Sequence, residues 1–389
     1  MFDLNSPHSI SLAEVIPADS LRPYRPTFAR VRRDALAHNV AKFRKHAHGA
    51  LIMAVVKADA YGHGLLDCAR LFHECGAEYF GVGFVEEGIA LRRAGFREKI
   101  LVLGGIVGSQ IALFLEYDLE MTARSVFKIE AINAPANGSG KRGRVHLKTD
   151  TGMNRIGQNW RTAEQLFAAA KRCDRVEITG IYSHLATAES KDQNFTELQI
   201  ARFRDVVTQA RAAGLNAGLR HICNSAGAIR FPQAHFDMVR PGIGLYGQHA
   251  SPDLQAEFPL DPAMSLISEI VYTKRIRRGE GVSYGLLWTA PDDSWIATVP
   301  VGYGDGYPRR FTGAPVLIGG QRYPVIGAVC MDQLMVNLGQ DRYRVGEPVV
   351  MWGKQGDDEI TLWEICQLGG YIPYELPIYL TGRVPRVFV

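Results

Sequence analysis

Leu51-Ile52-Met53-Ala54-Val55-Val56 runs directly into Lys57-Ala58-Asp59-Ala60-Tyr61-Gly62-His63-Gly64. The first six residues form a short apolar, β-branched run that must be buried, and its length predicts a strand rather than a helix. The polar, glycine-containing stretch that follows marks where the strand leaves the core. The same texture recurs at Tyr79 to Phe84, Ile100 to Leu103, Leu119 to Thr122, Val145 to Lys148, Glu177 to Ser183, Leu219 to Cys223 and Phe236 to Val239. Helix-like stretches separate these runs. Leu65 to Cys75 spaces apolar positions at Leu65, Cys68, Ala69 and Phe72, and Thr196 to Ala213 carries Leu198, Ala201, Val206 and Ala210. About eight βα units at roughly 25-residue spacing predict an α/β fold built on a (β/α)8 TIM-like barrel. A doubly wound sheet fits less well, because no Gly-x-Gly-x-x-Gly follows the first strand.

After Gly247 the pattern changes. Ser251 to Pro262 is a connection containing proline and aspartate. Strands are then predicted at Ser268 to Ile276, Trp295 to Val301, Val316 to Ile318, Val325 to Cys330, Leu334 to Leu338 and Pro348 to Trp352. The expected organisation is an N-terminal extension over residues 1–22 with no assigned role, the barrel over 23–250, and a C-terminal, mainly β domain over 251–389. Two domains also suit a chain of 389 residues, which exceeds what one hydrophobic core usually organises.

Composition narrows the function classes. With 44 basic against 40 acidic residues the formal charge is only +4, and no long basic run occurs, so neither nucleic acid nor an anionic membrane is implied as a partner. Cys68, Cys75, Cys173, Cys223, Cys330 and Cys366 are scattered without a Cys-x-x-Cys pair. Free thiols in a reducing compartment account for them, and His63 and His73 beside Cys68 and Cys75 fit no familiar metal spacing, so no metal site is expected. Met1 to Ser20 carries Asp3, Glu14 and Asp19 and lacks the build of a secretory signal. No apolar run approaches the roughly 20 residues of a membrane span. These features predict a soluble, cytoplasmic protein.

In a barrel the reacting groups sit where the strands end. Past strand one comes Lys57, and past strand five come Asp150-Thr151-Gly152-Met153-Asn154-Arg155. Strand six ends in Ser183-His184-Leu185-Ala186, strand seven in Asn224-Ser225-Ala226-Gly227, and strand eight in Arg240-Pro241-Gly242-Ile243-Gly244. Each item has a plain reading: a solvated lysine, a core histidine, a tight turn, a surface arginine. Their gathering at one rim is the informative feature. Lys57 beside a buried strand suits a Schiff-base amine with a depressed pKa. Ser225, Gly242, Ile243 and Gly244 offer hydroxyl and backbone donors suited to a phosphate.

The segment Val55-Val56-Lys57-Ala58-Asp59-Ala60-Tyr61-Gly62-His63-Gly64 resembles the cofactor-lysine signature of alanine racemases. Further segments resemble the same family: Lys148-Thr149-Asp150-Thr151-Gly152-Met153-Asn154-Arg155, His221-Ile222-Cys223-Asn224-Ser225, and Arg240-Pro241-Gly242-Ile243-Gly244-Leu245-Tyr246-Gly247. Ser283-Tyr284-Gly285, Val301 to Arg309, Cys330-Met331-Asp332-Gln333, Tyr374 and Arg383-Val384-Pro385-Arg386 extend the likeness to the C-terminus. The resemblance implies pyridoxal 5'-phosphate held on Lys57 in the barrel mouth of a head-to-tail homodimer. It implies that Tyr61, Ser225, Gly242, Ile243 and Tyr374 hold the phosphate, that Arg240 faces the pyridine nitrogen with His221 supporting it, and that His184 lies against the ring. Arg155 and the Met331 backbone would take the substrate carboxylate, and Tyr284 would come from the other subunit. The equivalent of Lys148 is often carbamylated in similar enzymes. The family's product, D-alanine, serves cell-wall peptidoglycan.

Racemisation removes the Cα proton from one face and returns it on the other, so two bases must flank one carbon, and Lys57 and Tyr284 fill those roles in the implied scheme. An arginine at the pyridine nitrogen should not surrender its proton, which limits electron flow into the ring and favours racemisation over transamination. Rival readings are a decarboxylase on the same architecture, with an acidic residue in place of Arg240, a cofactor-free Schiff-base aldolase using Lys57, and a non-catalytic carrier of the cofactor. A serine or broader small-amino-acid racemase is a further alternative. Two positions depart from the family pattern: Glu189 stands where similar enzymes often carry aspartate, and Ala328 where many carry an arginine at the substrate entrance.

Overall fold

The computed structural model describes residues 25–389, and the expected extension over residues 1–22 lies outside them. The chain divides into two compact units. One comprises Val31–Met264, Leu362–Leu380 and Val389; the other comprises the described residues up to Arg30, Ser265–Thr361 and Thr381–Phe388.

The first unit is centred on parallel strands β1 (Leu51–Val55), β2 (Tyr79–Val82), β3 (Lys99–Val102), β4 (Met121–Ala123), β5 (Gly143–Asp150), β6 (Val176–Tyr182), β7 (Leu219–His221) and β8 (Met238–Val239). Met53 pairs with Tyr79, Tyr79 with Lys99, Met121 with Val145, Gly143 with Val176 and Gly180 with Leu219. A bridge from Leu101 to Glu120 joins β3 to β4. Between β7 and β8 the Asp237 amide donates to the Arg220 carbonyl at 3.0 Å, and Met238 opposite Leu51 closes the ring. Closure leaves no exposed sheet edge. All eight strands fall where the apolar runs predict them.

A helix follows each of β1 to β7. Leu65–Glu74 buries Cys68, Ala69 and Phe72 of the expected stripe together with Leu71, while Leu65 is half-buried. Asn194–Ala212 corrects the expectation in part. Its buried face is Thr196, Gln199, Ile200, Phe203, Val206 and Ala210, while Leu198 and Ala201 are exposed. Gln199 can lie inward because its amide donates to the Thr151 hydroxyl and the His184 carbonyl; a satisfied polar side chain displaced a leucine from the core face. Inside the barrel Met53, Tyr79, Leu101 and Met238 pack together, with Leu51, Leu103 and Leu219 against them.

By compactness, residues 362–380 group with the barrel unit. They carry the helices Leu362–Gly369 and Glu375–Tyr379. Of their apolar positions, Leu362, Ile365, Cys366 and Leu376 are buried, while Leu368, Ile372 and Ile378 are exposed.

The second unit is a mainly antiparallel sheet. Its strands include β9 (Met264–Glu269), β10 (Tyr272–Ile276), β11 (Ser294–Val299), β12 (Pro315–Ile318), β13 (Gln321–Ile326), β14 (Leu334–Gly339) and β15 (Pro348–Gln355), in the order β10-β11-β14-β13-β12-β15-β9, continued by Phe28–Val31 and Arg386–Phe388. The single strand expected over Ser268 to Ile276 is two. At the break the Ile270 amide donates to Glu347 and the Val271 amide to Thr298, so the chain leaves β15 for β11. Ile276, Val282, Ala290, Ile296 and Ile326 form an apolar cluster with Trp288 and Met335 against it. The buried Asp305 carboxylate is clamped by Arg25 at 2.5 Å and approached by Arg383 at 3.3 Å.

Candidate active site

The chain turns sharply where β1 ends. Lys57 is followed by Ala58, Asp59, Ala60 and Tyr61, all left-handed with φ between 52° and 55°. Each such residue costs about 1–2 kcal/mol, so the turn survives only through outside support. The Glu87 carboxylate accepts from the Ala58 amide at 2.6 Å and the Gly83 amide at 2.7 Å, and the Asp59 carboxylate accepts from Leu65 at 2.7 Å. The turn directs Tyr61 back into the barrel mouth, where its ring lies 5.1 Å from Tyr246 and 6.1 Å from Tyr374.

β7 and β8 supply a second wall. Asn224 caps the helix Ser225–Arg230 through Gly227, and the Ser225 hydroxyl oxygen accepts from the Gly242 amide at 2.9 Å and the Gly244 amide at 3.2 Å. Its own O–H is thereby free to donate outward. Gly242 allows Tyr61 to approach, since a Cβ at that position would sit 2.4 Å from the tyrosine oxygen. Burial raises the pKa of both Tyr61 and Tyr374, so both phenols remain donors.

Four basic side chains face the same space. Lys148 and Arg240 are buried, and Lys57 and Arg155 are reached by solvent through the mouth. Burial and then Arg155 lower the Lys57 pKa, with Glu87 partly opposing. Burial and then Arg240 take Lys148 far below the lysine range, with Asp150 partly opposing and Arg155 adding to the effect. Arg240 is pulled down to about 10 by burial, with Tyr182 and Cys223 opposing, and so stays charged at neutral pH. Its guanidinium donates to the carbonyls of Ser183 at 3.0 Å and Ile222 at 3.1 Å, and to the ring nitrogens of His184 at 3.0 Å and His221 at 2.8 Å. Burial, and then the Arg240 charge, hold His184 and His221 far below the usual imidazole pKa, so both accept as neutral rings.

These elements enclose a cavity of about 740 Å³. Lys57, Tyr61, Lys148, Arg155, His184, Ser225, Arg240, Gly242, Ile243 and Tyr374 all line it, and His221 stands behind Arg240. Against the four basic side chains, Glu189 is the acidic residue among the lining residues. The donor set therefore matches a ligand bearing more than one anionic group, and Tyr61, Ser225 and Gly242 form a cradle that a Cβ would fill. A phosphorylated pyridine aldehyde with an amino-acid carboxylate fits that requirement.

Tyr284 and Met331 belong to the second unit and are not among the lining residues; they are 76% and 53% exposed. Tyr284 stands between Ser283 and Gly285, both at positive φ. The Ser283 hydroxyl donates to the carbonyl of Ala328, one of the two departures from the family pattern, at 2.7 Å. Among the described residues no cluster of His, Cys, Asp and Glu side chains is placed to hold a metal ion, and no helix is long and apolar enough to cross a membrane. Tyr182, which stacks on His221 at 4.8 Å and carries Nζ of Lys148 4.5 Å above its ring, escaped the sequence reading. So did Glu120 and His146. Alternation along β5 could have found His146, which shares a face with Lys148.

The models of the N-terminal and C-terminal domains of alanine racemase match residues 31–250 and 263–388. The alanine racemase of Symbiobacterium thermophilum is 40% identical over 366 residues, covering 94% of this chain and 97% of that protein. Alanine racemase 1 of Bacillus subtilis is 39% identical, covering 94% of each. Among solved structures, the alanine racemase of Bacillus anthracis with bound L-Ala-P superposes with a TM-score of 0.90 at 33% identity, covering 95% of this chain and 96% of that one. A histidine racemase from Leuconostoc mesenteroides superposes at 0.87 and 30% identity, covering 95% of this chain and 99% of that one.

Proposed function

The chain belongs to the alanine racemase family, and from that premise we propose that it interconverts L- and D-alanine in the cytoplasm, using pyridoxal 5'-phosphate held in the barrel cavity. The observation that carries this reading is the pairing of the Tyr61–Ser225–Gly242 cradle with four basic side chains and a single acidic residue lining the cavity. When bound, the cofactor supplies the electron sink that makes the substrate's Cα proton removable.

Lys57 is its covalent anchor and the base for one face of Cα. Burial and then Arg155 lower its pKa, which eases loss of its proton. Tyr61, Ser225, Gly242, Ile243 and Tyr374 hold the phosphate. Arg155 orients the substrate carboxylate with the Met331 backbone, and Lys148, buried against Tyr182, is the candidate for carbamylation. Arg240, fixed by four acceptors, would offer a retained N–H donor to the bound pyridine nitrogen, and His184 would help hold the ring.

Tyr284 of the partner subunit is the base for the opposite face. Support for a shared site comes from the exposed tip formed by Tyr284, Leu286 and Leu287, which are 76%, 65% and 71% accessible. An apolar, backbone-strained tip of this kind suits burial by a second copy of the chain. The D-alanine formed would serve cell-wall peptidoglycan.

The test is incubation of the cofactor-loaded enzyme with L-alanine in D2O. The expected result is loss of optical rotation with deuterium entering Cα. Deuteration without racemisation removes the two-base scheme, and neither signal removes alanine. L-serine and L-histidine in parallel decide breadth, the second because of the likeness to a histidine racemase.

A further inference from the structure

A TIM-barrel interior is ordinarily filled by branched aliphatic side chains. Here a line of polar groups crosses it among Met53, Leu101 and Met238. The Arg240 guanidinium meets Nδ1 of His221 at 2.8 Å, Nε2 of His221 meets Nδ1 of His146 at 2.8 Å, and Nε2 of His146 meets the Glu120 carboxylate at 3.0 Å. The Tyr79 hydroxyl donates to the same carboxylate oxygen at 2.8 Å, and Arg144 Nε stands 3.9 Å from the other oxygen. Glu120, His146 and His221 are wholly inaccessible to solvent. The line also has reserved space, because a Cβ at Gly180 would sit 2.3 Å from Nδ1 of His146. A buried carboxylate and two imidazoles in place of aliphatic packing are expensive for stability alone.

Arginine's donor-only chemistry gives the line a direction. Guanidinium has no acceptor, so Nδ1 of His221 must present a lone pair. The single proton of that ring is then on Nε2, which forces a lone pair on Nδ1 of His146 and places the His146 proton on Nε2. The last group must accept, so Glu120 is a carboxylate. Burial alone would raise its pKa, but hydrogen bonds from His146 and Tyr79 and the nearby Arg144 charge oppose burial and leave it lowered.

We propose that Glu120, acting through His146, is a positioning residue for the reaction: it terminates a buried relay that fixes the His221 tautomer and hence the direction in which Arg240 presents its N–H groups to the cavity. Without that terminus His146 can turn its proton toward His221. His221 then places its own proton against Arg240, and two donors face each other. The guanidinium must shift, and its contact with whatever occupies the cavity shifts too. The proposal rests on the racemase reading for the identity of the occupant, but the relay belongs to the protein alone.

The test uses full-length protein with ¹⁵N-labelled histidine, first free of cofactor and then loaded. In the wild type, His146 and His221 should each show one proton, on Nε2. Glu120→Gln keeps an acceptor oxygen and should preserve both tautomers. Glu120→Leu should lose them and lower kcat by between about tenfold and a hundredfold, the size found where a group that orients a working ligand is removed. KM for L-alanine should stay within about threefold in that variant, because Arg155 still takes the carboxylate. A His221 proton on Nδ1 in the wild type, or a folded Glu120→Leu variant with wild-type tautomers and kcat, overturns the proposal. Should Glu120→Leu not fold, the wild-type and Glu120→Gln spectra still decide it. Absence of racemisation by the wild type overturns the functional reading alone, since the tautomers are read without substrate.

Discussion

Gly242→Ala is the smallest change that strikes the proposed phosphate cradle. A methyl group there would lie 2.4 Å from the Tyr61 hydroxyl, 3.0 Å from its Cζ and 3.5 Å from Cε2. Ordinary contact needs about 3.4 Å or more, so the phenol must retreat by about 1 Å. It has little room to do so, being 7% exposed and bounded by the rings of Tyr246 at 5.1 Å and Tyr374 at 6.1 Å. Overpacking of this kind costs about 1–3 kcal/mol of stability. Loss of one donor to an anionic group costs about 1.5–3 kcal/mol of binding, a rise in Kd of about tenfold to 150-fold. The assay is a titration of cofactor-free protein with pyridoxal phosphate, followed by absorbance, with thermal unfolding of the same samples. Tyr61→Phe supplies the second arm of a cycle. Removing the hydroxyl should weaken binding in the wild type and change little in Gly242→Ala, where the hydroxyl is already displaced, so the two losses should not add. Wild-type affinity in Gly242→Ala, or strict additivity of the pair, refutes the cradle.

Three further outcomes follow from the same geometry. Tyr284→Phe should lower kcat by about 10²–10⁴ while leaving cofactor affinity unchanged, and a wild-type rate would remove Tyr284 as a base. Arg240→Glu should raise pyruvate formation from alanine relative to racemisation, because a carboxylate keeps the ring nitrogen protonated; an unchanged product ratio counts against the role of Arg240. His221 is held far below the imidazole range by burial and then Arg240, and burial pushes His249 down to about 4. As pH falls through about 6.5 the unfolded chain takes up these two protons and the folded chain refuses them, so stability present above that pH declines below it by up to about 1.4 kcal/mol per pH unit for each ring. Urea denaturation of the cofactor-free protein on either side of that pH measures the slope, and a flat profile refutes the neutral assignment.

The barrel is legible in the chain because burial dictates composition: strands enclosed on both faces must be apolar runs such as Leu51 to Val56, and the residues that follow them must sit at the rim. Lys57, Arg155, Ser225 and Arg240 are found by that rule before any motif is consulted. Several features are not local and so escape it. The left-handed turn at Ala58–Tyr61 contains no glycine to announce it, since its support comes from Glu87 and Asp59 rather than from its own residues. The inward turn of Gln199 depends on Thr151 and His184, far from it in sequence. Residues 362–380 follow a β-rich stretch yet group by compactness with the barrel unit, which composition does not encode.

Glu120, His146 and Tyr79 show a further reason why the polar interior stayed hidden. Each sits singly in a strand, on β4's approach, β5 and β2, and reads alone as a satisfied core residue. Only the curl of the sheet brings Tyr79 and His146 to Glu120, at 2.8 and 3.0 Å. Closure also decides the electrostatics. The cavity concentrates Lys57, Lys148, Arg155 and Arg240 with little acidic compensation at the mouth, whereas Glu120 lies beneath it, separated from Arg240 by two imidazoles. That separation leaves the basic side chains free to attract an anionic ligand while still fixing the most buried guanidinium. A carboxylate placed directly against Arg240 would fix it equally well but would compete with that ligand for its charge.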